Sequence, residues 1–313
     1  MPALNSTARS KTSRVLIYGA PNTGKTLLAA KLSEHFNLLW FDLESGIDVA
    51  RTLPEEWQAR INVISLPDTK TYPIAIETML KVVKGPVDIC TKHGKVKCMI
   101  CQKLVNDMMK ETEGEISTEA DDMITHVDVN SLSPDTIVVM DTSTQLTASA
   151  IAHITKGKDD DYKMKTDDWG SLSKLMEVFY SHIQNASYNV IVITHETNVA
   201  DEGKPEKMVP IAGSKPFSRN VAKSFSDTVY AQIKNKKYKF ASSANYAQNI
   251  NASSRSGVVL EDMDEPSLLA IFKPEVAPTT TSTSSIVKNT SSASATPNSK
   301  AASILDRLKN VKT

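Results

Sequence analysis

Gly19-Ala-Pro-Asn-Thr-Gly24-Lys25-Thr26 follows the apolar run Val15-Leu16-Ile17-Tyr18 and leads into Leu27-Leu28-Ala29-Ala30-Lys31-Leu32, a stretch of helix-forming composition. A strand, a GxxxxGK[ST] loop and a helix in that order make a Walker A phosphate cradle. The glycines let the backbone wrap closely round phosphate oxygens, while its N–H groups and the helix N-terminus supply positive potential. The residues expected to hold a nucleotide are therefore Gly19, Ala20, Pro21, Asn22, Thr23, Gly24, Lys25, Thr26 and Leu27. Lys25 is set to reach the β- and γ-phosphates of ATP, and Thr26 to ligate Mg²⁺.

Outward from this loop, short apolar runs alternate with helical patterns, which signals an α/β fold with a mainly parallel sheet and crossover helices. Strands are expected at Val15–Tyr18, Leu38–Phe41, Asn62–Ile64, Thr136–Met140 and Asn189–Thr194, then at Thr228–Ile233, Tyr238–Ala241 and Leu268–Phe272. The last three lack intervening helices and read as an antiparallel C-terminal extension, with Lys234-Asn-Lys-Lys237 as a hairpin turn. A helix at about Ile74–Val83 is followed by a polar insertion over about 85–133, longer than a plain connection and expected to form its own small unit.

Ile137-Val-Val-Met-Asp141 is an apolar strand ending in a carboxylate, as a Walker B strand does, so Asp141 is expected in the Mg²⁺ shell. Leu39-Trp40-Phe41-Asp42-Leu43-Glu44 ends the second strand with two carboxylates on one side, because strand side chains alternate with period two. That D-x-E ending resembles the RecA superfamily, and the resemblance implies that Glu44 polarises the attacking water. In Val190-Ile-Val-Ile-Thr194-His195-Glu196 a polar residue again ends an apolar strand, where RecA-like motors place a Gln or His that senses the γ-phosphate. His195 takes that post by resemblance. Asn251-Ala-Ser253-Ser254-Arg255-Ser256-Gly257 is similar to the K-x-R-x-G segment of DnaB-type hexameric motors, with Ser253 in place of the lysine. This implies that Arg255 is an arginine finger reaching a neighbouring subunit.

From about Val15 to Phe272 the order of motifs resembles the phage-encoded, RecA-like single-domain ATPases of the Sak type, which are single-strand annealing recombination proteins. Asp167-Asp168-Trp169-Gly170 ahead of a long helix, and the Thr-His-Glu strand, also look like that group. The resemblance implies an ATP hydrolase acting on single-stranded DNA in recombination or replication, assembled as a ring or filament of like subunits. The alternative is a DnaB-like helicase motor, or another P-loop ATPase without DNA-pairing activity. The short segment ahead of the first strand argues against a full replicative helicase, and D-x-E with Thr-His against a nucleoside kinase. By the same resemblance, the DNA-contacting candidates include the loops at about Lys156–Lys165 and Val199–Arg219. The latter holds Lys204, Lys207, Lys215 and Arg219, with Phe217 as a base-stacking ring. Lys234, Lys236, Lys237 and Lys239, with Tyr238 and Phe240 interleaved, form a further basic-aromatic patch or a solvated hairpin tip.

All three cysteines fall within the insertion as Cys90-x₂-His93-x₄-Cys98-x₂-Cys101. Four such ligands suit a structural, tetrahedral Zn²⁺ in a segment with too little apolar surface to fold unaided, with a disulfide or chance clustering as the alternatives.

The 313 residues carry 36 basic and 36 acidic side chains and 40% hydrophobic residues, enough for one large core. No apolar run reaches the length of a membrane span, and a cytoplasmic protein is expected, in the host cell if phage-encoded. Residues 1–13 read as a disordered start, 14–276 as the RecA-like ATPase core, 277–300 as a flexible Ser/Thr-rich linker and 301–313 as an amphipathic peptide. The tail from Ala277 has five basic residues against Asp306 alone. Any DNA binding by the core must then come from local patches. Ile304, Leu305, Leu308 and Val311 share one helical face, so the peptide is a candidate for docking a neighbouring subunit or a replication partner. The other reading is a basic tail that adds weak attraction to DNA.

Overall fold

The period-two alternation of the apolar runs decides the layers of the computed structural model, which describes residues 12–69, 72–111, 123–200, 207–244 and 250–272. In β1 (Arg14–Gly19), Val15 and Ile17 face one side of the sheet and Leu16 the other. The same split recurs at Ile137 and Val139 against Val138 and Met140 in β6 (Thr136–Asp141), and at Ile191 and Ile193 against Val190 and Val192 in β7 (Asn189–Val199). Strands apolar on both faces need cover on both, as in a parallel sheet between helix layers.

β2 (Asn37–Asp42) and β3 (Ile61–Ser65) complete the parallel part, while β8 (Lys207–Pro210) folds back antiparallel on β7. β9 (Asp227–Lys234), β10 (Lys237–Ala241) and β11 (Ser253–Ser254) follow. The sheet runs in the order β10-β9-β1-β7-β6-β2-β3, with β8 paired to β7 and β11 to β9. One face packs α1 (Lys25–Ala30) and the Phe36, Trp40 and Leu260 cluster. The other packs α3 (Ile74–Val82), α5 (Ser143–Ile154) and α6 (Thr166–Gln184) through Met79, Leu146, Leu172 and Phe179. Each such side chain contributes about 1.5–3 kcal/mol when fully buried. The short helices α2 (Glu55–Gln58) and α7 (Lys215–Ser218) bridge strands at the surface.

Two features depart from the expected C-terminal extension. β9 lies parallel to β1, with Val15 opposite Asp227, so the antiparallel extension begins with the pairing of β10 on β9 rather than with β9 itself. Leu268–Phe272 holds a one-turn helix, α8 (Leu269–Phe272), rather than a strand. Ser267 Oγ accepts from the Leu269 N–H and Leu268 O from Ile271 N–H, a hydroxyl-initiated turn that drives Phe272 against Phe36. The expected hairpin turn is present, with Asn235 and Lys236 both at positive φ (53° and 60°) as a two-residue primed turn requires.

Within 85–133, β4 (Val87–Cys90) and β5 (Ile124–Val127) pair antiparallel as a separate two-stranded sheet, and α4 (Met99–Glu111) follows the cysteine cluster. The linker and the C-terminal peptide lie outside the described residues, as do Lys204 and residues 1–11. Among the described residues no helix is long and apolar enough to cross a membrane.

Candidate active site

Strand register assembles the site at the carboxyl ends of the central strands. Gly19 stands opposite His195, Asp42 opposite Asp141, and Asp141 opposite Ile193. Residues distant in sequence thus meet along one edge of a parallel sheet, where α/β proteins bind ligands. They surround a cavity of about 390 Å³ lined by the loop from Pro21 to Leu27, Glu44, Asp141, Thr142, Ile193, His195 and Tyr238.

The loop conformation depends on its glycines. Gly19 has φ 153°, and a Cβ there would stand 2.0 Å from Ala231 O of β9. Gly24 has φ 83°, and a Cβ would meet the Tyr238 ring at 3.0 Å. Lys25 is 5% exposed and its ammonium donates to Gly19 O at 3.0 Å, Ala20 O at 2.6 Å and Thr23 Oγ1 at 3.4 Å. Burial pulls the Lys25 pKa down to about 8, against the attraction of Asp141, Glu196 and Glu44.

Thr26 Oγ1 donates to Asp141 Oδ2 at 3.0 Å, so the two groups expected around Mg²⁺ are in contact. Burial pushes the Asp141 carboxyl up to about 7, a shift that the Thr26 hydrogen bond opposes and the charges of Asp42 and Glu44 reinforce. A buried carboxylate and a hydroxyl facing a phosphate cradle fit a hard cation, whose charge would favour the ionised form of Asp141.

Asp42 does a different task. Its Oδ1 accepts from the Glu44 and Gly46 N–H groups at 3.3 and 3.1 Å, and so shapes the turn that presents Glu44. Burial raises its pKa. Glu44 Oε2 accepts from Thr142 Oγ1 at 2.9 Å and lies 3.4 Å from His195 Nε2. The His195 hydrogen bond, opposed by burial and helped by Thr142, holds the Glu44 pKa below its usual range. A carboxylate kept ionised at the cavity wall can accept a proton from water. His195 is fixed by its backbone, its N–H donating to Thr144 Oγ1 at 2.8 Å and its carbonyl accepting from Ile211 N–H at 2.9 Å. Its Nδ1 is buried with no hydrogen-bond partner.

Arg255 is not brought to this cavity. β11 pairs with the first residues of β9, and the Arg255 N–H bonds Ser226 O, so this exposed arginine stands at the opposite edge of the sheet. Within one chain it cannot touch the ligand of its own loop.

The aromatic candidates for DNA contact are occupied elsewhere. Phe217 is half-buried with its ring 5.5 Å from Tyr180, and Phe240 is buried in the α1-side core. Tyr238 leans on Gly24 and lines the nucleotide cavity. Its place there was missed, because pairing of β10 beside β9 is what lays the ring over the loop, and no local pattern encodes that. Lys234, Lys236, Lys237 and Lys239 are exposed, and Trp169 is an exposed ring at the start of α6.

In the insertion, Cys90, His93, Cys98 and Cys101 converge, with their ligand atoms all within 4.8 Å of one another. His93 Nδ1 lies 3.4, 3.5 and 3.3 Å from the sulfurs of Cys90, Cys98 and Cys101. None of the cysteines is disulfide-bonded. A tetrahedral Zn²⁺ with Zn–S of about 2.3 Å has ligand edges of about 3.5–3.8 Å, and these separations are close to that. The arrangement is compatible with zinc, and its closed set of four would leave no position for a substrate.

A family model described as an AAA domain, AAA_24, matches residues 11–259. No curated protein matches the sequence. A solved chain described as a prototypical ATPase from the type III secretion system of pathogenic bacteria is similar at 13% identity and a TM-score of 0.35, over 70% of this chain and 52% of that one. This chain spans about half the length of that ATPase, and so loose a likeness carries no argument. The family match covers β1 through β11 and with them the whole cradle, so the chain is a P-loop NTPase and belongs to the AAA_24 family of AAA domains.

Proposed function

We propose that the chain is an ATP-hydrolysing, RecA-like protein of the Sak type that acts on single-stranded DNA in phage recombination or replication. In this reading the cradle holds Mg·ATP through Lys25, Thr26 and Asp141, Glu44 activates the attacking water, and a structural Zn²⁺ orders the insertion. The observation that carries it is the Glu44–His195 pair, 3.4 Å apart. His195 sits on β7 two residues past the last pairing with β6, on the stretch that then pairs with β8. A proton or hydrogen bond gained by Glu44 would be felt at once by His195, and through its backbone by that hairpin. An arrangement of this kind links hydrolysis to a second ligand, which a simple phosphatase does not need.

In this reading Arg255 acts on the nucleotide of a neighbouring copy, in a ring or filament of like subunits in the host cytoplasm. The test is to measure ATP turnover with and without an oligonucleotide, together with the pairing of complementary strands. Turnover is expected to rise with single-stranded DNA, and complementary strands to pair faster. Turnover indifferent to DNA together with no strand pairing would sink the proposal while leaving the NTPase intact.

A further inference from the structure

We infer that the outer face of α4, in the Cys/His unit, docks the acidic 259–265 segment of a second copy of this chain, through a contact that uses neither the phosphate cradle nor Arg255. This rests on the reading above of a ring or filament of like subunits, and adds to it the two surfaces that meet.

α4 turns Cys101 and Val105 inward and leaves Met99, Ile100 and Leu104 exposed at 83%, 66% and 42%. Among the described residues no other helix exposes three large apolar side chains. Lys103 is exposed on the same side, since residues three and four apart on a helix are neighbours, and Lys97 is exposed just ahead of the first turn. Among the described residues neither lysine makes an ion pair, and Asp107 one turn further on is already engaged. An apolar centre with a cationic rim is a docking surface, and the sign of the rim selects its occupant. The chain's own tail from Ala277 has the wrong sign, because its five basic residues against Asp306 alone would be repelled. What fits is a segment that sets apolar side chains among unpaired carboxylates.

The chain presents such a segment elsewhere. Val259 is 43% exposed and Met263 half-buried, and around them Asp262, Asp264 and Glu265 are exposed. These three carboxylates make no ion pair among the described residues, and no lysine or arginine stands between Val258 and Ser267. The segment is held in shape before any partner arrives. Glu261 Oε1 accepts from the Ser242 and Ser243 N–H groups at 2.9 and 2.8 Å, Ser242 Oγ donates to Val258 O at 2.9 Å, and the Met263 N–H donates to Leu260 O at 3.2 Å. Leu260 itself is fully buried. A surface fixed in this way loses little conformational freedom on binding.

The two faces belong to opposite edges of the sheet, so one chain cannot close the contact on itself. Ser242, which anchors the acidic segment, follows β10 at one edge. Gly94 of the Cys/His unit is pressed on the end of β3 at the other edge: its carbonyl accepts from Thr78 Oγ1 at 2.8 Å, and a Cβ on it would stand 2.8 Å from Ser65 O. From β10 to β3 there are six inter-strand spacings of about 4.8 Å, which set the edges roughly 29 Å apart. Unlike faces on opposite edges make a heterologous contact that repeats from copy to copy, and such a contact builds a ring or an open filament.

The experiment is sedimentation velocity of the full chain over a concentration series, with and without ATP and an oligodeoxythymidine. One variant carries Lys97→Glu with Lys103→Glu, the other Asp262→Lys with Asp264→Lys. Each alone is expected to weaken self-association about tenfold, because attraction at every contact becomes repulsion. Mixed in equal amounts the two should associate with wild-type affinity, since each then meets a face of opposite charge. Met99→Ser with Ile100→Ser should weaken association while leaving its salt dependence unchanged. Charge variants that melt like wild type and each assemble like wild type overturn the interface and leave the ring or filament standing. So does a mixture that assembles no more tightly than its parts. A lysine variant that loses the oligonucleotide but keeps self-association makes the rim a nucleic-acid surface and overturns the inference. A wild-type chain that stays monomeric under every condition overturns both readings.

Discussion

The groups of the phosphate site come from residues as distant as Gly19 and His195, whereas the four sulfur and nitrogen ligands of the insertion lie within one short segment, Cys90 to Cys101. The first set is positioned by the register of buried strands and by the turns that follow them. The second is positioned by its own spacing around a point. Its unit rests on a two-stranded sheet and a helix with Met99, Ile100 and Leu104 exposed. Two strands alone are marginal in water, so such a unit needs an external staple. The difference predicts that the two regions fail separately, each through its own cause.

The largest effect belongs to the cradle. Lys25→Ala should lower ATP turnover by about 10³-fold or more, and Glu44→Gln should keep nucleotide binding while turnover falls about 10²–10⁴-fold. In both, metal content measured by elemental analysis should match wild type. Turnover within a few-fold of wild type in Lys25→Ala would remove the lysine from the chemistry.

The converse change is Cys98→Ser with Cys101→Ser. About one zinc per chain should be lost, and amides of β4 and β5 should exchange rapidly while those of β1, β6 and β7 stay protected. A variant whose central strands lose protection to the same extent would show that the two regions share one stability, and the contrast would be wrong.

A smaller effect tests how tightly register holds the loop. Gly19→Ala places a Cβ against the Ala231 carbonyl and should destabilise by about 1–3 kcal/mol, read from denaturant midpoints. Gly157→Ala is the control. It too has positive φ (78°), but nothing lies within 4 Å of the added carbon, so only backbone strain of about 1 kcal/mol remains. Equal losses at the two positions would mean that contact with β9 does not constrain the loop.

The smallest effect concerns Asp141. Its carboxyl is raised by burial to about 7, above its unfolded value, so the folded state keeps a proton that the unfolded state has released. Stability therefore falls as pH rises between the two values, and the cost of ionisation is complete above about 7. Asp141→Asn removes that cost. Its stability relative to wild type, read from denaturant midpoints, should rise between about pH 5 and about pH 8 by an amount on the order of 1 kcal/mol. A difference that does not change with pH would show that Asp141 ionises normally.

Much of the site was legible because its signals are local. The cradle, Asp141, Glu44 and His195 each stand at or just past the end of an apolar run, and parallel pairing carries the ends of those runs to one edge. The cysteine spacing is local too. What stayed hidden depends on which strands pair. Nothing in Thr228–Ile233 says that it pairs parallel with β1, because that choice is made by the sheet. Leu268–Phe272 reads equally as strand or helix until the Ser267 hydroxyl starts a turn. Phe217 and Phe240 look available beside lysines, yet burial against Tyr180 and against the α1-side core is decided by distant residues.

Lys25 carries one more consequence. Its ammonium already has three oxygen partners inside its own loop, and a ligand must offer something better before it lets go. A terminal phosphate pair can supply charged oxygens in exchange for two neutral carbonyls and a hydroxyl, a trade that favours the ligand. A nucleoside monophosphate has no group that extends to the lysine and would leave it where it is. The loop thus grades ligands by the length of their phosphate chain, so that the diphosphate product competes with fresh triphosphate while the monophosphate is ignored. Turnover by this chain should then depend on the ratio of triphosphate to diphosphate around it, rather than on triphosphate alone.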